Sequence, residues 1–225
     1  MTAAIPTIRA VLFDLDGTLM DTAGEIDTSL ARAFGEIGVA RLPRASVEAL
    51  IGHGVRSLVE RALARQGAHG VDLQEVVERF ERHYALVVGT EAALFPGVPE
   101  GIERLRAGGH KLAVVTNKPR SFTESLLARA GAAPCFSVIV AGDDGIRRKP
   151  AGDMLEAACA KMGTTPAESL MLGDSDNDIV AARAAGCPVW CVPYGYNEGR
   201  GPETLACDRL VHSVDEAARL IIGAR

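Results

Sequence analysis

Hydrophobic and polar positions along the chain predict a buried strand near its start, then a long helical stretch, then alternating strands and helices. Residues 11–19 form an apolar run without strict alternation, which is typical of a central parallel strand buried on both faces. Asp14 and Asp16 stand at the carboxyl end of this strand, where Asp16-Gly17 predicts a turn. Open α/β sheets place their functional groups at that edge.

The stretch over residues 21–89 has helical periodicity and no strand signal. Apolar stripes at helical spacing predict three amphipathic helices, over residues 26–37, 47–63 and 73–87. The third is predicted to begin at Asp72, with Glu75 in capping-box spacing. Because short loops join the helices, we interpret residues 21–89 as an inserted helical cap domain.

Beyond residue 95 the pattern alternates between strand and helix. Apolar runs predict strands at residues 111–115, 137–141, 170–172 and 188–192. Capping-box spacing predicts one helix start at Ser121 with Glu124, and the start of the last helix at Ser213 with Glu216. This alternation predicts an α/β fold with a doubly wound, Rossmann-like parallel sheet. The core would comprise residues 1–20 and 90–225, with the helical cap between them.

Composition and charge narrow the class of protein. Of the 225 residues 48% are hydrophobic and 24% charged, as in globular proteins, and a net charge of −5 offers no basic surface to nucleic acid. No signal-peptide core or bilayer-spanning stretch is present, which predicts a cytoplasmic protein without a membrane partner. Five cysteines without a C-x-x-C pair predict neither a disulfide framework nor a thiolate metal site. A monomer and a homodimer are both compatible with this sequence.

Polar side chains recur at four strand ends or in the loops that follow them. They are Asp14 with Asp16, Thr116 with Asn117, Lys149, and Asp174 with Asp178. In a parallel sheet these ends lie at one edge, so residues distant in sequence are expected to converge. Each pair alone also fits a turn, a helix cap or surface charge, but their recurrence favours a common site.

Crowded carboxylates favour a hard cation, because two of them 4 Å apart repel by about 4 kcal/mol at an effective dielectric constant of 20. Oxygen ligands without His or Cys suit Mg²⁺, which takes one or two carboxylates, waters and a phosphate oxygen. Opposite the metal, Thr116 offers a hydroxyl and Asn117 an amide. Lys149 offers a positive charge, and Pro150 restricts its backbone to extended conformations. The sequence therefore predicts Mg²⁺ beside a phosphate site.

Four motifs together resemble those of the haloacid dehalogenase-like hydrolases in order and spacing. They are Asp14-x-Asp16-Gly17-Thr18, Thr116-Asn117, Lys149-Pro150, and Gly173-Asp174-Ser175-x-x-Asp178. The resemblance covers nearly the whole chain and includes a helical cap after the first motif, as in the first cap type of that superfamily. Within it, bacterial phosphoglycolate phosphatases are the most similar family, through residues 95–98, 115–119 and 194–197.

This resemblance implies a role for each motif residue. Asp14 would be the nucleophile that forms an aspartyl-phosphate, and the Asp16 side chain would protonate the leaving alkoxide and then activate water. Mg²⁺ would be held by the Asp14 carboxylate, the Asp16 backbone carbonyl and Asp174. Asp178 would orient Asp174 or a metal-bound water. The non-bridging phosphate oxygens would be held by Lys149, Thr116 and Asn117.

Specificity is expected to come from the cap loop over residues 51–56. Its glycines, Gly52 among them, let a backbone approach a ligand, and His53 or Arg56 would reach a small carboxylate such as that of glycolate. The alternative is a glycine hinge with both side chains in solvent. We interpret Tyr194 and Tyr196 as packing or loop-anchoring residues.

The resulting hypothesis is Mg²⁺-dependent hydrolysis of a small phosphorylated metabolite, with 2-phosphoglycolate as the first candidate. A phosphatase acting on a sugar phosphate or a nucleotide is the alternative enzyme. Two non-enzyme alternatives are a switch module that stores a phosphoryl group on Asp14, and an interaction protein on the same fold. Asp16 as a built-in base favours hydrolysis and disfavours the metal-free dehalogenase branch. The absence of Lys from residues 21–89 disfavours the phosphonate-cleaving and sugar-phosphate mutase branches.

Overall fold

The computed structural model describes residues 7–223, and a six-stranded parallel sheet is its central feature. Including a separate two-stranded ladder, the strands are β1 (Ala10–Phe13), β2 (Met20–Asp21), β3 (Ala93–Leu94), β4 (Lys111–Val115), β5 (Val138–Val140), β6 (Ser169–Gly173), β7 (Val189–Cys191) and β8 (Arg209–Leu210). The large sheet has the order β5-β4-β1-β6-β7-β8. Because the chain starts in the middle of this sheet and builds outward on both sides, the sheet is doubly wound. The predicted α/β class is confirmed.

Nine α-helices lie within residues 7–223. They are α1 (Ala23–Gly35), α2 (Arg44–Glu48), α3 (Val55–Arg65), α4 (Leu73–Val87), α5 (Val98–Ala107), α6 (Arg120–Arg129), α7 (Asp153–Met162), α8 (Asp176–Ala185) and α9 (Val214–Gly223). Four short 3-10 turns lie at Ala133–Cys135, Pro166–Glu168, Asn197–Gly199 and Pro202–Thr204. None of the helices in this range is both long and apolar enough to cross a membrane.

Alternate residues of β1 explain the layering of helices on both faces of the sheet. Successive side chains of a strand point to opposite faces. Val11 and Phe13 pack into one apolar cluster with residues of α5 and α9, whereas Ala10 and Leu12 pack into a second cluster with residues of α7 and α8. All four side chains are fully buried, as expected for a central parallel strand.

The helices α1 to α4 form one segment, called here the helical segment, in which α1 and α3 both pack on α4. The antiparallel ladder of β2 and β3 joins both ends of this segment to the sheet. Glu25 of α1 holds the returning chain, because its buried carboxylate accepts hydrogen bonds from the backbone N–H groups of Gly89, Glu91 and Ala92 at 2.8–2.9 Å. The sequence did not predict this ladder, since two residues per strand are too few for an alternation to appear.

The stripe over residues 47–63, predicted as one helix interrupted at the glycines of the loop over residues 51–56, is divided between two helices. The structure has α2 and α3 with a loop between them, in which Gly52 and Gly54 adopt φ values of +110° and +83°. Residues with a Cβ rarely take up such values, so the chain cannot continue as a helix there. The apolar stripe persists across the break because both helices bury the same side.

Helix ends agree with the sequence at two of three predicted caps. The Asp72 side chain accepts a hydrogen bond from Gln74 N–H at the start of α4, and Ser213 Oγ accepts from Glu216 N–H at the start of α9. The predicted cap at Ser121 is wrong, because α6 begins one residue earlier, directly after a proline. A residue from a distant loop caps this helix, because Asp143 Oδ1 accepts a hydrogen bond from Arg120 N–H at 2.8 Å.

Candidate active site

The register of the central strands brings the predicted polar residues to one edge. Phe13 of β1 lies level with Val114 of β4 and with Leu172 of β6. The residues that follow these positions leave the sheet together at its carboxyl edge. They are Asp14 and Asp16 after β1, Thr116 and Asn117 after β4, and Asp174 after β6.

Lys149 joins two of the buried carboxylates. Its Nζ lies 2.8 Å from Asp14 Oδ1 and 2.7 Å from Asp178 Oδ1. Asp14, Asp174 and Asp178 each offer a carboxylate oxygen, and these oxygens lie within 4.8 Å of one another. Three acidic side chains therefore share one lysine in a site where none is more than 5% exposed.

Burial and this excess of negative charge raise the pKa values of Asp14 and Asp174. Burial raises the pKa of Asp14 to about 7, and the negative charge of Asp178 adds to the rise while Lys149 opposes it. Burial and the charge of Asp178 also raise the pKa of Asp174 well above its usual value. Burial disfavours the charged form of Lys149, but its carboxylate neighbours outweigh this and raise its pKa. An additional cation would relieve the repulsion, and an all-oxygen donor set of this kind fits a hard divalent ion.

Both oxygens of Asp174 are held by groups from other loops. Oδ1 accepts a hydrogen bond from Thr18 Oγ1 at 2.9 Å, and Oδ2 accepts from Tyr196 N–H at 2.8 Å. Gly17 allows this packing, because its φ is +87° and a Cβ there would come within 2.5 Å of Asp174 Oδ2. The Asp174 carboxylate is thus fixed in orientation before any ligand binds.

Asp178 is fully buried and uses both oxygens within the protein. Oδ2 accepts from the backbone N–H groups of Asp174 and Ser175 at 3.2 Å and from Ser175 Oγ at 2.9 Å, which caps α8, while Oδ1 is paired with Lys149. These contacts leave Asp178 suited to orienting Lys149 and the Asp174 backbone.

Asp16 lies beside a second buried lysine, which the sequence analysis did not single out. Asp16 Oδ1 accepts hydrogen bonds from Thr22 Oγ1 at 2.6 Å and from Lys118 Nζ at 2.7 Å. Lys118 is 6% exposed, and its ammonium also lies over the ring of Tyr84 at 4.8 Å from the centroid. One signal was present, since Lys118 directly follows Thr116-Asn117 at a predicted strand end.

The Asn117 side chain bridges the sheet and the helical segment. Its Nδ2 donates to the Lys149 carbonyl at 2.9 Å and to the Gly52 carbonyl at 3.0 Å, and its Oδ1 accepts from Lys149 N–H at 3.0 Å. Asn177 of α8 donates to the same Gly52 carbonyl at 2.9 Å. The side-chain amide predicted to bind phosphate is therefore engaged with Lys149 and Gly52.

A cavity open to solvent lies between the sheet edge and the helical segment. The sheet side contributes Asp14, Asp16, Thr116, Asn117 and Lys118, and the helical side contributes Ile26, Ile51, Gly52, Gly54, Val55 and Leu58. The two predicted carboxylate-binding side chains of the helical segment do not line it. Arg56 is exposed and donates to Gln74 Oε1 at 3.0 Å, and His53 Nε2 lies 2.6 Å from Glu198 Oε1.

The two tyrosines after β7 anchor loops around the site. Tyr194 donates from its hydroxyl to the Thr18 carbonyl at 3.0 Å. The Tyr196 hydroxyl donates to Asp21 Oδ1 and accepts from Thr22 N–H, both at 2.9 Å. These contacts agree with the predicted anchoring role, but the Tyr196 backbone N–H bound to Asp174 had no sequence signal, since any residue carries one.

Comparisons with known proteins agree on one family. The sequence matches the family model described as "Haloacid dehalogenase-like hydrolase" over residues 11–192. It is 43% identical over 217 residues to a phosphoglycolate phosphatase of Nitrosospira multiformis, covering 95% of this chain and 96% of that protein. A crystal structure of a predicted phosphoglycolate phosphatase from Haemophilus somnus superposes with a TM-score of 0.90 at 29% identity, covering 95% of this chain and 98% of the other. CbbY from Rhodobacter sphaeroides, crystallised with phosphate, superposes with a TM-score of 0.79 at 28% identity, covering 93% and 96%.

Proposed function

Because this chain belongs to the haloacid dehalogenase-like hydrolases and is a phosphoric monoester hydrolase, we propose that it converts 2-phosphoglycolate to glycolate and phosphate. The reaction depends on Mg²⁺ and passes through an aspartyl-phosphate on Asp14. One observation carries the proposal: the buried Asp14 carboxylate lies 2.8 Å from Lys149, within 4.8 Å of Asp174, and on the wall of a cavity.

Mg²⁺ would be held by the carboxylates of Asp14 and Asp174 and by the backbone carbonyl of Asp16. The support is the donor set, which is buried, consists of oxygen atoms and carries more negative charge than Lys149 balances. When bound, the ion neutralises negative charge on the phosphoryl oxygens. Lys149 contributes to the same neutralisation from the protein side.

Asp14 attacks phosphorus in line with the ester oxygen, forming an Asp14–phosphorus bond as the bond from phosphorus to that oxygen breaks. Asp16 gives a proton to the departing alkoxide and then takes one from the water that attacks phosphorus, as the bond between phosphorus and the Asp14 oxygen breaks and phosphate leaves. Thr22 and Lys118 both bind Oδ1 of Asp16, which leaves Oδ2 as the oxygen for these transfers. Thr116 Oγ1 and the Asn117 backbone N–H bind the non-bridging oxygens.

The helical segment acts as the cap in this proposal, corresponding to residues 21–89. Its support is that Ile51, Gly52 and Leu58 form the wall of the cavity opposite Asp14. Closure of the cap excludes bulk water from the acyl-phosphate and disfavours large or polymeric substrates. The substrate is proposed from the relatives, which are named phosphoglycolate phosphatases.

A panel of phosphate esters assayed by phosphate release, with Mg²⁺ and after chelation, tests the proposal. We expect the highest kcat/KM for 2-phosphoglycolate, loss of turnover with a chelator and recovery with Mg²⁺. A flat profile, or a preference for a hexose phosphate or a nucleotide, would contradict the substrate. Acid-quenched phosphoenzyme that persists with little phosphate release would instead support a phosphoryl switch.

A further inference from the structure

Lys118 is a cation of the cavity to which the proposed chemistry gives one task, the hydrogen bond to Asp16. Among the cavity-lining residues in the described part of the chain, it is the one positively charged side chain. It is 6% exposed, so the fold has buried an ammonium group at this wall. Burying a charge is costly unless it is paired, which calls for a partner or a function.

Two neighbours hold the Lys118 ammonium between the two walls of the cavity. Asp16 of the sheet edge accepts one hydrogen bond at 2.7 Å, and Tyr84 of α4 places its ring 4.8 Å away. Burial raises the pKa of Tyr84 to about 12, so its hydroxyl stays neutral and supplies no counter-charge. An ammonium has three N–H donors, of which Asp16 takes one and the Tyr84 side chain engages a second, so that one is left. Lys118 therefore has the capacity to bind a second anion.

Among the described residues, the helical wall of the cavity offers an anion no charged side chain. Its side chains at the cavity are apolar, namely Ile26, Ile51, Val55 and Leu58. Arg56 is turned to Gln74 and His53 to Glu198, both outside the cavity. An anionic group of a bound ester that is not the phosphate thus meets positive charge at Lys118.

The position of Lys118 relative to Asp16 defines which ester fits. Under the proposed mechanism Asp16 meets the ester oxygen. In a phosphorylated 2-hydroxy acid the carboxylate is bonded to the carbon that carries that oxygen. The Lys118 ammonium, which is hydrogen-bonded to Asp16, is therefore suitably placed to bind that carboxylate.

We propose that Lys118 binds the carboxylate of the substrate and so selects phosphate esters of small 2-hydroxy acids. This inference rests on the proposed function and names the residue that gives it its substrate class. On binding, the ammonium keeps its contact with Asp16 and donates a further hydrogen bond to the substrate carboxylate. Lys118 is then a specificity-determining residue as well as a support for Asp16.

The test compares 2-phosphoglycolate with ethyl phosphate, which has an uncharged methyl group in place of the carboxylate. The ratio of the two kcat/KM values is measured for the parent, for Lys118→Met and for Lys118→Arg. Lys161→Met is the matched control, since Lys161 is exposed on α7. We expect Lys118→Met to lower the ratio by about 10- to 200-fold, mainly through KM for 2-phosphoglycolate, because a hydrogen bond to a charged group is lost. Lys118→Arg should restore part of the preference, and Lys161→Met should leave it unchanged.

Two results would overturn the inference and leave the proposed function intact. One is a Lys118→Met variant in which the kcat/KM values for both esters stay at the parental level. The other is an equal fall for both esters, which makes Lys118 a positioning residue for Asp16 alone. A parent without preference for 2-phosphoglycolate overturns the proposed substrate together with the inference. If Lys118→Met does not fold, Lys118→Gln repeats the test with an uncharged side chain that still hydrogen-bonds to Asp16.

Discussion

The sheet side of the cavity presents charged and hydrogen-bonding groups, whereas the helical side presents apolar side chains and a backbone carbonyl. On the sheet side, Asp14, Asp16 and Lys118 are each fixed by contacts of 2.6–2.8 Å to other side chains. On the helical side, Ile51 and Leu58 are held only by packing, and the Gly52 carbonyl meets the sheet edge. Under the proposed function, bond making belongs to the sheet edge and enclosure of the ligand to the helical segment.

The two sides are nevertheless connected through a few polar contacts. Asn117 and Asn177 both donate to the Gly52 carbonyl, and His53 meets Glu198 from the loop after β7. These contacts hold the helical segment against the sheet edge. A substrate that enters must separate or bypass them, so the contacts are part of the enclosure and not of the bond-making step.

The largest expected effect is a loss of activity when Asp14, on the sheet side of the cavity, is replaced. Asp14→Asn removes the proposed nucleophile and keeps the volume of the side chain, so we expect kcat/KM to fall by about 10⁴-fold or more. Phosphate release with Mg²⁺ present measures it. Asp144→Asn is the matched control, because Asp144 follows β5 but lies outside the cavity. If the Asp14→Asn variant were as fast as the parent, Asp14 would not be the nucleophile.

An intermediate effect is expected when the contacts between the sheet edge and the Gly52 carbonyl are removed. Asn117→Ala removes the bonds to Lys149 and to Gly52, whereas Asn177→Ala removes only the bond to Gly52. We expect kcat to fall about 10- to 100-fold for Asn117→Ala, because the Lys149 backbone loses its partners. Asn177→Ala should change KM by a few-fold and kcat little. Equal losses in both variants would show that the Gly52 contact alone accounts for the effect. Steady-state kinetics on both variants decides between these.

The smallest effect concerns a charge pair at the edge but outside the cavity. Asp144 accepts two hydrogen bonds from Arg120, at 2.9 and 2.6 Å, and one from Ala141 N–H. Burial alone would raise the pKa of Asp144, but Arg120 outweighs it and the pKa lies below its usual value. We expect Asp144→Asn to lower the free energy of unfolding at pH 7 by about 1 kcal/mol and to leave kcat/KM within two-fold.

The pH dependence of that pair has a definite sign. A carboxyl whose pKa is lower in the folded state stabilises the fold above its unfolded pKa, and this stabilisation is lost as pH falls through the folded value. The difference between parent and Asp144→Asn should therefore be complete at pH 7 and shrink below about pH 4. Urea unfolding at pH 7 and pH 3 measures it, and a difference that persists at pH 3 would assign it to packing.

Local pattern predicted five of the six strands of the large sheet, but not β8, which is only two residues long. The strand predicted at residues 111–115 has the same bounds in β4, and the strand predicted at 188–192 lies one residue beyond β7 at each end. Such strands can be predicted from sequence because a buried parallel strand needs apolar residues on both faces. The ladder of β2 and β3 was not predicted, because its pairing depends on the helical segment returning to the sheet.

Within the site, residue type and order along the chain predicted that Asp14, Lys149 and Asp174 would meet. A parallel sheet forces all its carboxyl ends to one edge, so placing these residues at strand ends was enough. Which way the other side chains point was not predictable in this manner. Lys118 turns inward to Asp16 and Tyr84, while Arg56 turns outward to Gln74.

What the sequence determined by itself was the succession of strands and helices, the residues that follow each strand, and their family resemblance. Tertiary structure decided the pairing of β2 with β3, the bridging role of Asn117 and the burial of Lys118. The physical reason is that periodicity and turn residues act over a few positions of one segment. The direction of a polar side chain is instead set by the partners that compensate its burial, and those partners come from distant parts of the chain.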